Sequence, residues 1–170
     1  KLEKKGHILT EEYDAVIINT CAFIADAAKE SIETVLEEAL TKKKIIVTGC
    51  LVERYKEKLP ELLPEVDLFV GRNYYDEIEA IVDETLNPQR TFPLIKGNSG
   101  GFSEKKCFFQ REGSFAETFP RKVLTALPSA YLKIQEGCDN RCSYCTVPDI
   151  RGGLRSRDPK DILTEFEWLL

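Results

Sequence analysis

Strand-like and helix-like segments alternate along residues 14–86, and this order limits the folds open to the chain more than any other feature of its sequence. The strand-like runs are short and rich in β-branched residues: "DAVIINT" (14–20), "KIIVTG" (44–49) and "VDLFVG" (66–71). Helix-like runs follow them at 27–44, 52–63 and 74–86. The order βαβαβα predicts an α/β fold with a parallel sheet and right-handed crossovers.

Helix boundaries in this region are predicted from two residues. Asp26 is expected to cap the first helix, in which apolar residues recur at the i, i+3, i+4 spacing. Pro60 lies within the second helix-like run. We expect it to break or restart that helix, because proline lacks the backbone N–H that an inner helical position uses.

Composition limits the function classes. The apolar content of 42% is enough for a real core, and the net charge is −5. Neither half of the chain has the strongly basic character of a nucleic-acid surface. No run of about 18 apolar residues and no signal pattern occur, so a cytoplasmic protein without a membrane partner is expected.

Two isolated cysteines follow the first two predicted strands. Cys21 comes directly after the first and Cys50 directly after the second. The carboxyl edge of a parallel sheet is where such folds place their ligands, so we expect the two thiols to be neighbours there. The alternative is that each is a small buried apolar residue at a strand end, which is common for cysteine.

A change of character after residue 90 divides the chain into two modules. We predict an α/β domain over 1–90, a linker over 91–127 that could include a short strand, and a second module over 128–170. Cys107 lies in the linker and is interpreted as an incidental thiol. In the second module "SAYLKIQEG" (129–137) alternates apolar and polar residues, which predicts a strand.

Three further cysteines, Cys138, Cys142 and Cys145, lie within eight positions on the loop after that strand. Structural zinc normally needs a fourth ligand, and His7, interpreted as a surface histidine, is the only histidine. Three thiolates on an iron-sulfur cluster leave one iron without a protein ligand, as a substrate-activating metal centre requires. A disulfide framework is disfavoured, because secreted scaffolds of that kind are usually shorter and loop-rich.

The stretch "CDNRCSYC" has the CxxxCxxC spacing of radical S-adenosylmethionine enzymes, and the chain resembles that family. The resemblance implies that Cys138, Cys142 and Cys145 bind a [4Fe–4S] cluster, whose free iron chelates S-adenosylmethionine. One electron from the cluster then cleaves the sulfonium to give methionine and a 5′-deoxyadenosyl radical. Tyr144, the aromatic residue before the last cysteine, is a candidate S-adenosylmethionine contact.

More of the chain resembles one branch of these enzymes, the methylthiotransferases. The resemblance rests on "INTCAFIADAAKESIE", "VTGCLVERY", "EVDLFVG" and "SAYLKIQEGCDNRCSYCTVPDIRGGLRSR". It implies a Rossmann-like N-terminal domain, followed by the first strand, cluster loop and helix of a truncated radical S-adenosylmethionine partial TIM barrel. Cys21 and Cys50 match two of three ligands of a second [4Fe–4S] cluster. The third belongs to an "LGCPKN"-like stretch expected upstream of Lys1.

The resemblance also implies the reaction. A methylthio group is inserted at an unactivated carbon, and a reductant such as flavodoxin or ferredoxin supplies electrons. "NTCAFI", "GCLVERY" and "AYLKIQEGC" favour the branch that modifies an aspartate β-carbon of a small-subunit ribosomal protein. The alternatives are the branch that modifies an adenosine in transfer RNA and a non-catalytic zinc-binding or ferredoxin-like module. A chain of this extent is expected to be inactive alone.

Polar residues beside the cysteines have open interpretations. Asn19 and Thr20 either orient Cys21 by hydrogen bonding or simply end the strand. Arg151, Arg155 and Arg157 either face an anionic substrate or cofactor carboxylate or lie on a solvated basic loop.

Overall fold

The computed structural model describes residues 2–8, 10–86, 106–108, 121, 123, 125 and 128–170. The chain divides into two compact units, Lys1–Gly113 and Ser114–Leu170. Each unit is described by itself below. In the described part of the chain, no helix has both the length and the apolar character that crossing a membrane requires.

A parallel sheet forms the centre of the first unit. Its strands are β1 (Ala15–Thr20), β2 (Lys44–Gly49), β3 (Leu68–Val70) and β4 (Lys106–Phe108), hydrogen-bonded in that order. All three neighbouring pairs are parallel. The predicted α/β class with a parallel, Rossmann-like sheet is thereby confirmed. Strand β4 lies within the segment predicted as a linker, for which a short strand was allowed.

Helices connect the strands of this sheet. Helix α1 (Ala25–Ala39) joins β1 to β2, and α2 (Cys50–Tyr55) follows β2 directly. A one-turn 3-10 helix (Lys56–Lys58) and α3 (Leu59–Leu62) complete the second connection. After β3 come a 3-10 turn (Arg72–Tyr74) and α4 (Ile78–Leu86), and a further 3-10 turn (Leu2–Lys5) precedes β1.

The expected helix boundaries are partly correct. Asp26 is not the cap of α1: Ile24 occupies that position in extended conformation, and Asp26 lies in the first turn. An acidic side chain there still interacts favourably with the positive end of the helix dipole. Pro60 behaves as expected. The helical path is interrupted before it, and Pro60 lies in the opening positions of α3, where no N–H is needed.

The core of the first unit lies on the central strands. From Ile45 to Gly49, β2 is buried at every position, and β3 is buried throughout. This is the expected pattern for parallel strands that are covered on both faces. One core cluster joins these strands to α4 and the turn before it, through Ile46, Leu68, Val70, Tyr74, Ile81 and Val82.

The second unit contains a short antiparallel ladder and two helices among its described residues. β5 (Gln135–Glu136) pairs with β6 (Arg155–Ser156). The helices are α5 (Val147–Arg151) and α6 (Pro159–Leu169). The strand predicted over 129–137 is therefore only two residues long, because β6 pairs with no more of it. The start of a barrel stays a prediction.

A buried ion network stabilises this unit. The Glu165 carboxylate on α6 is only 2% exposed, and it accepts hydrogen bonds from Arg157 Nη1 and, at 2.6 Å, from Arg121 Nε. Burial alone would raise the pKa of Glu165, but the hydrogen bonds and charges of the two guanidinium groups outweigh it and lower the pKa. Arg157 also donates to the carbonyl of Lys133 at 3.2 Å. Arg157 is only 6% exposed, so it does not lie on a solvated loop.

Candidate functional site

Strand register brings Cys21 and Cys50 to adjacent positions at the carboxyl edge of the sheet. Thr20, the last residue of β1, pairs with Gly49, the last residue of β2, and each cysteine is the next residue along its chain. Cys50 opens α2 and is 6% exposed, whereas Cys21 is partly buried in the turn before α1. The structure therefore places both residues at the predicted edge.

Gly49 allows β1 and β2 to approach each other just before the cysteines. Its φ is +100°, a value that side-chain-bearing residues rarely adopt. A Cβ atom there would lie 2.4 Å from the Thr20 carbonyl oxygen and 2.7 Å from Asn19 Oδ1. The close approach that the structure shows is to the neighbouring strand.

Side-chain hydrogen bonds fix the backbone on either side of this edge. The Cys21 N–H donates to Ser31 Oγ at 3.0 Å, and Ser31 on α1 donates to the Ala27 carbonyl at 2.8 Å. The Thr20 hydroxyl donates to the Thr48 carbonyl at 2.6 Å and accepts from the Leu51 N–H at 3.3 Å. Thr20 thus links the strand before Cys21 to the helix that begins at Cys50.

Residues after the third strand complete this edge, and no sequence pattern predicted their role. The Arg72 N–H donates to Glu53 Oε1 at 2.7 Å, which ties the end of β3 to α2. Tyr75 donates its hydroxyl to Asn19 Oδ1 at 3.3 Å. Burial raises the pKa of Tyr75, and a Thr48 hydrogen bond and the Arg72 charge offset this only in part. The hydroxyl is therefore protonated at neutral pH.

Polar contacts close the base of the loop that carries the other three cysteines. The Cys138 N–H donates to the Gly152 carbonyl at 3.2 Å, and the Leu154 N–H donates to Asp139 Oδ1 at 2.8 Å. Gly137 has φ +76° and lies against the chain that returns from the loop, since a Cβ atom there would be 2.1 Å from the Gly153 carbonyl oxygen. The chain therefore leaves and re-enters the loop at one fixed point.

An ion pair supports the same base. The Glu136 carboxylate on β5 is 5% exposed and pairs with Lys133 Nζ at 2.5 Å and with Arg151 Nη1 at 3.2 Å. Arg151 was expected to face a ligand or to be solvated. It instead ties α5, at the far end of the cysteine loop, to the strand before Cys138.

The three thiols of the loop are accessible to different degrees. The Cys145 N–H donates to the Cys142 carbonyl at 3.0 Å, and Arg141 has a positive φ of 46°, so the chain turns sharply between Cys138 and Cys145. Cys142 is exposed and the other two are partly buried. Tyr144, the candidate S-adenosylmethionine contact, is 87% exposed.

Within the part of the chain that the structure describes, no three thiols come together to form a metal site. Among the residues that the structure describes, no group of three or more His, Cys, Asp or Glu side chains could hold a metal ion. All six cysteines are free thiols, so the structure contains no disulfide framework. The assignment of Cys21, Cys50, Cys138, Cys142 and Cys145 as cluster ligands stays a prediction.

Two residues outside these sites have defined surroundings. Cys107 lies on β4 opposite Phe69 of β3 and is partly buried. His7, expected to be a surface histidine, has its Nε2 2.7 Å from Asp83 Oδ1, and its side chain is partly buried with 25% exposed. This contact packs the turn before β1 against α4.

Comparison with known proteins gives consistent matches. Residues 1–71 match the family described as uncharacterized protein family UPF0004. The chain is 42% identical over 165 residues to the ribosomal protein uS12 methylthiotransferase RimO of Acetivibrio thermocellus, covering 94% of this chain and 35% of that protein. The protein of the same name from Clostridium tetani is 40% identical, with coverages of 99% and 36%. The chain spans about a third of the length of these relatives.

Proposed function

We propose, on the premise that this chain belongs to the family of RimO-type methylthiotransferases, that it is the part of such an enzyme that holds its metal centres. The supporting observation is the placement of five cysteines, two at one sheet edge and three on one loop with a closed base. In the whole protein these residues would serve the transfer of a methylthio group to an unactivated carbon.

The donor chemistry fits iron-sulfur clusters. Thiolates are soft ligands, and they bind iron-sulfur clusters in preference to hard cations such as Mg²⁺. Cys138, Cys142 and Cys145 would hold one [4Fe–4S] cluster, and Cys21 and Cys50 would supply two ligands to a second. When bound, the first cluster would supply the electron that cleaves S-adenosylmethionine, and a flavodoxin or ferredoxin would serve as the reductant.

The chain's own residues contribute order around these ligands. Glu136 and Arg151 hold the two ends of the three-cysteine loop together, and the Asp139 carboxylate accepts from the Leu154 N–H on the returning chain. Only the inner part of the loop has to rearrange for the thiols to converge. Exposure of Cys142 and Tyr144 leaves the loop open to a cofactor from solvent.

A ribosomal protein is the substrate that we infer. The relatives reported above are named for ribosomal protein uS12, which favours that branch over the one acting on transfer RNA. We propose the β-carbon of an aspartate as the modified position. Such a substrate would place the enzyme in the cytoplasm, in agreement with the sequence-based expectation.

Mass spectrometry of the substrate tests this function. The whole protein, reconstituted anaerobically with iron and sulfide, is incubated with S-adenosylmethionine, a reductant and uS12, and in a parallel reaction with transfer RNA in place of uS12. We expect uS12 to gain one methylthio group in place of one hydrogen, and fragmentation to locate it on an aspartate. Cys142→Ala should abolish the product, whereas the matched change Cys107→Ala should retain it. An unmodified uS12 alongside a modified transfer RNA would contradict the proposal.

A further inference from the structure

Tyr75 lies at the same edge of the sheet as Cys21 and Cys50. It follows β3 and the turn Arg72–Tyr74. Because β1, β2 and β3 are parallel neighbours, their carboxyl ends lie at one edge. The third strand thus contributes an aromatic hydroxyl where the first two contribute thiols.

The hydroxyl of Tyr75 connects to both cysteine-bearing strands. It donates to Asn19 Oδ1 at 3.3 Å, two residues before Cys21. Asn19 pairs with Thr48 of β2, and its Oδ1 lies 2.7 Å from where a Gly49 Cβ would be. The Asn19 side chain therefore lies beside the residue that precedes Cys50, and Tyr75 holds it there.

Burial of Tyr75 raises the pKa of its hydroxyl, and a Thr48 hydrogen bond and the Arg72 charge offset this only in part. Because its pKa is raised, the Tyr75 hydroxyl is protonated at neutral pH and acts as a hydrogen-bond donor. A donor of fixed position is what orients neighbouring ligands at a metal site.

We propose that Tyr75 is a positioning residue of the sheet edge: through Asn19 it holds the ends of β1 and β2 in the register that places Cys21 and Cys50 at adjacent positions. What the thiols hold rests on the proposed function, but the positioning itself is a property of the protein without a cluster. Removal of the hydroxyl should open this edge locally and leave the rest of the sheet closed.

Alkylation of the cysteines in the whole, cluster-free protein tests the positioning directly. Iodoacetamide labelling is followed by peptide mass spectrometry in Tyr75→Phe and in a matched control, Tyr13→Phe. Tyr13 donates to Glu38 Oε2 at 2.5 Å and precedes the opposite end of β1, so the control also loses one hydroxyl hydrogen bond. We expect Cys50 to react about fivefold faster in Tyr75→Phe alone, the factor for one such bond. Cys107 on β4 should keep its rate in both.

Asn19→Ala approaches the same contact from the other side. It removes the acceptor, so it should accelerate Cys50 labelling by a similar factor, and the double variant with Tyr75→Phe should add little more. Additive effects, an unchanged Cys50 rate, or equal acceleration at Cys107 would each overturn the proposal, since the last outcome means that the whole sheet loosens.

Iron release provides a readout that depends on the cluster. In a protein with Cys138, Cys142 and Cys145 changed to Ala, electron paramagnetic resonance reports the sheet-edge cluster alone. We expect Tyr75→Phe to release iron to a chelator on the order of tenfold faster, the usual effect of losing a residue that orients a ligand. If the parent protein binds no iron, the proposed function fails, while the labelling result still decides the role of Tyr75.

Discussion

Replacement of Gly49 by alanine should open the strand pair that carries Cys21 and Cys50. A side chain at φ +100° is strained, and the Cβ atom would lie 2.4 Å from the Thr20 carbonyl oxygen, which is backbone and cannot turn away. A strained conformation of this kind costs about 1–2 kcal/mol, and overpacking adds about 1–3 kcal/mol. We therefore expect Gly49→Ala to destabilise the first unit by about 3 kcal/mol.

Gly6→Ala is the matched control for this change. Gly6 has φ +91° in the same unit, but its Cβ atom would have no neighbour within 4 Å. It should show the conformational cost alone, about 1 kcal/mol. The difference between the two variants, about 2 kcal/mol, isolates the contact between β1 and β2.

Hydrogen exchange measures this difference, because protection of the β1 and β2 amides reports the opening of this unit alone. A gap of about 2 kcal/mol corresponds to exchange about 30-fold faster in Gly49→Ala than in Gly6→Ala. Equal exchange rates in the two variants would contradict the predicted clash at Gly49, because they would mean that β1 and β2 tolerate a methyl group between them.

Two further predictions concern the second unit. The ion partners of Glu165 lower its pKa, so the carboxylate stabilises the fold above its unfolded pKa, and this contribution is lost as pH falls through the folded pKa. Urea unfolding measured from pH 7 to below 4.5 should show this loss of stability in the parent protein and a flatter dependence on pH in Glu165→Gln. Identical pH profiles in the two proteins would contradict the prediction. Asp158 caps α6 by accepting the Lys160 N–H at 2.7 Å, so Asp158→Ala should cost about 1 kcal/mol in urea unfolding. Asp158→Asn can still cap and should cost less. An Asp158→Ala variant as stable as the parent protein would contradict this prediction.

Local sequence patterns predicted most of the strands and helices of the first unit. The order of strands and helices over 14–86, and the positions of Cys21 and Cys50 at strand ends, follow from short apolar runs and helical periodicity. Pro60 predicted the helix break because proline lacks the backbone N–H that an inner helical position uses. Strand β4 was foreseen only as a short strand that the linker could include. Three residues in a Gly- and Pro-rich segment carry too little periodicity to predict a strand.

Contacts between distant residues could not be predicted in this way. Ser31 and Tyr75 carry ordinary helix and loop signals, and only the packing of α1 and the turn after β3 brings them to Cys21 and Asn19. Arg157 resembles any basic loop residue until Glu165, eight positions later, is brought against it by the fold. Positions of individual residues were thus predicted better than their partners.

Electron paramagnetic resonance shows whether the three-cysteine loop holds a cluster that binds S-adenosylmethionine. The whole protein, reconstituted with iron and sulfide and reduced with dithionite under anaerobic conditions, is measured with and without S-adenosylmethionine. We expect a reduced-cluster signal that changes when S-adenosylmethionine is added, and loss of that component when Cys138, Cys142 and Cys145 become Ala. A protein that forms no cluster, or whose signal ignores both S-adenosylmethionine and the three substitutions, would contradict this expectation.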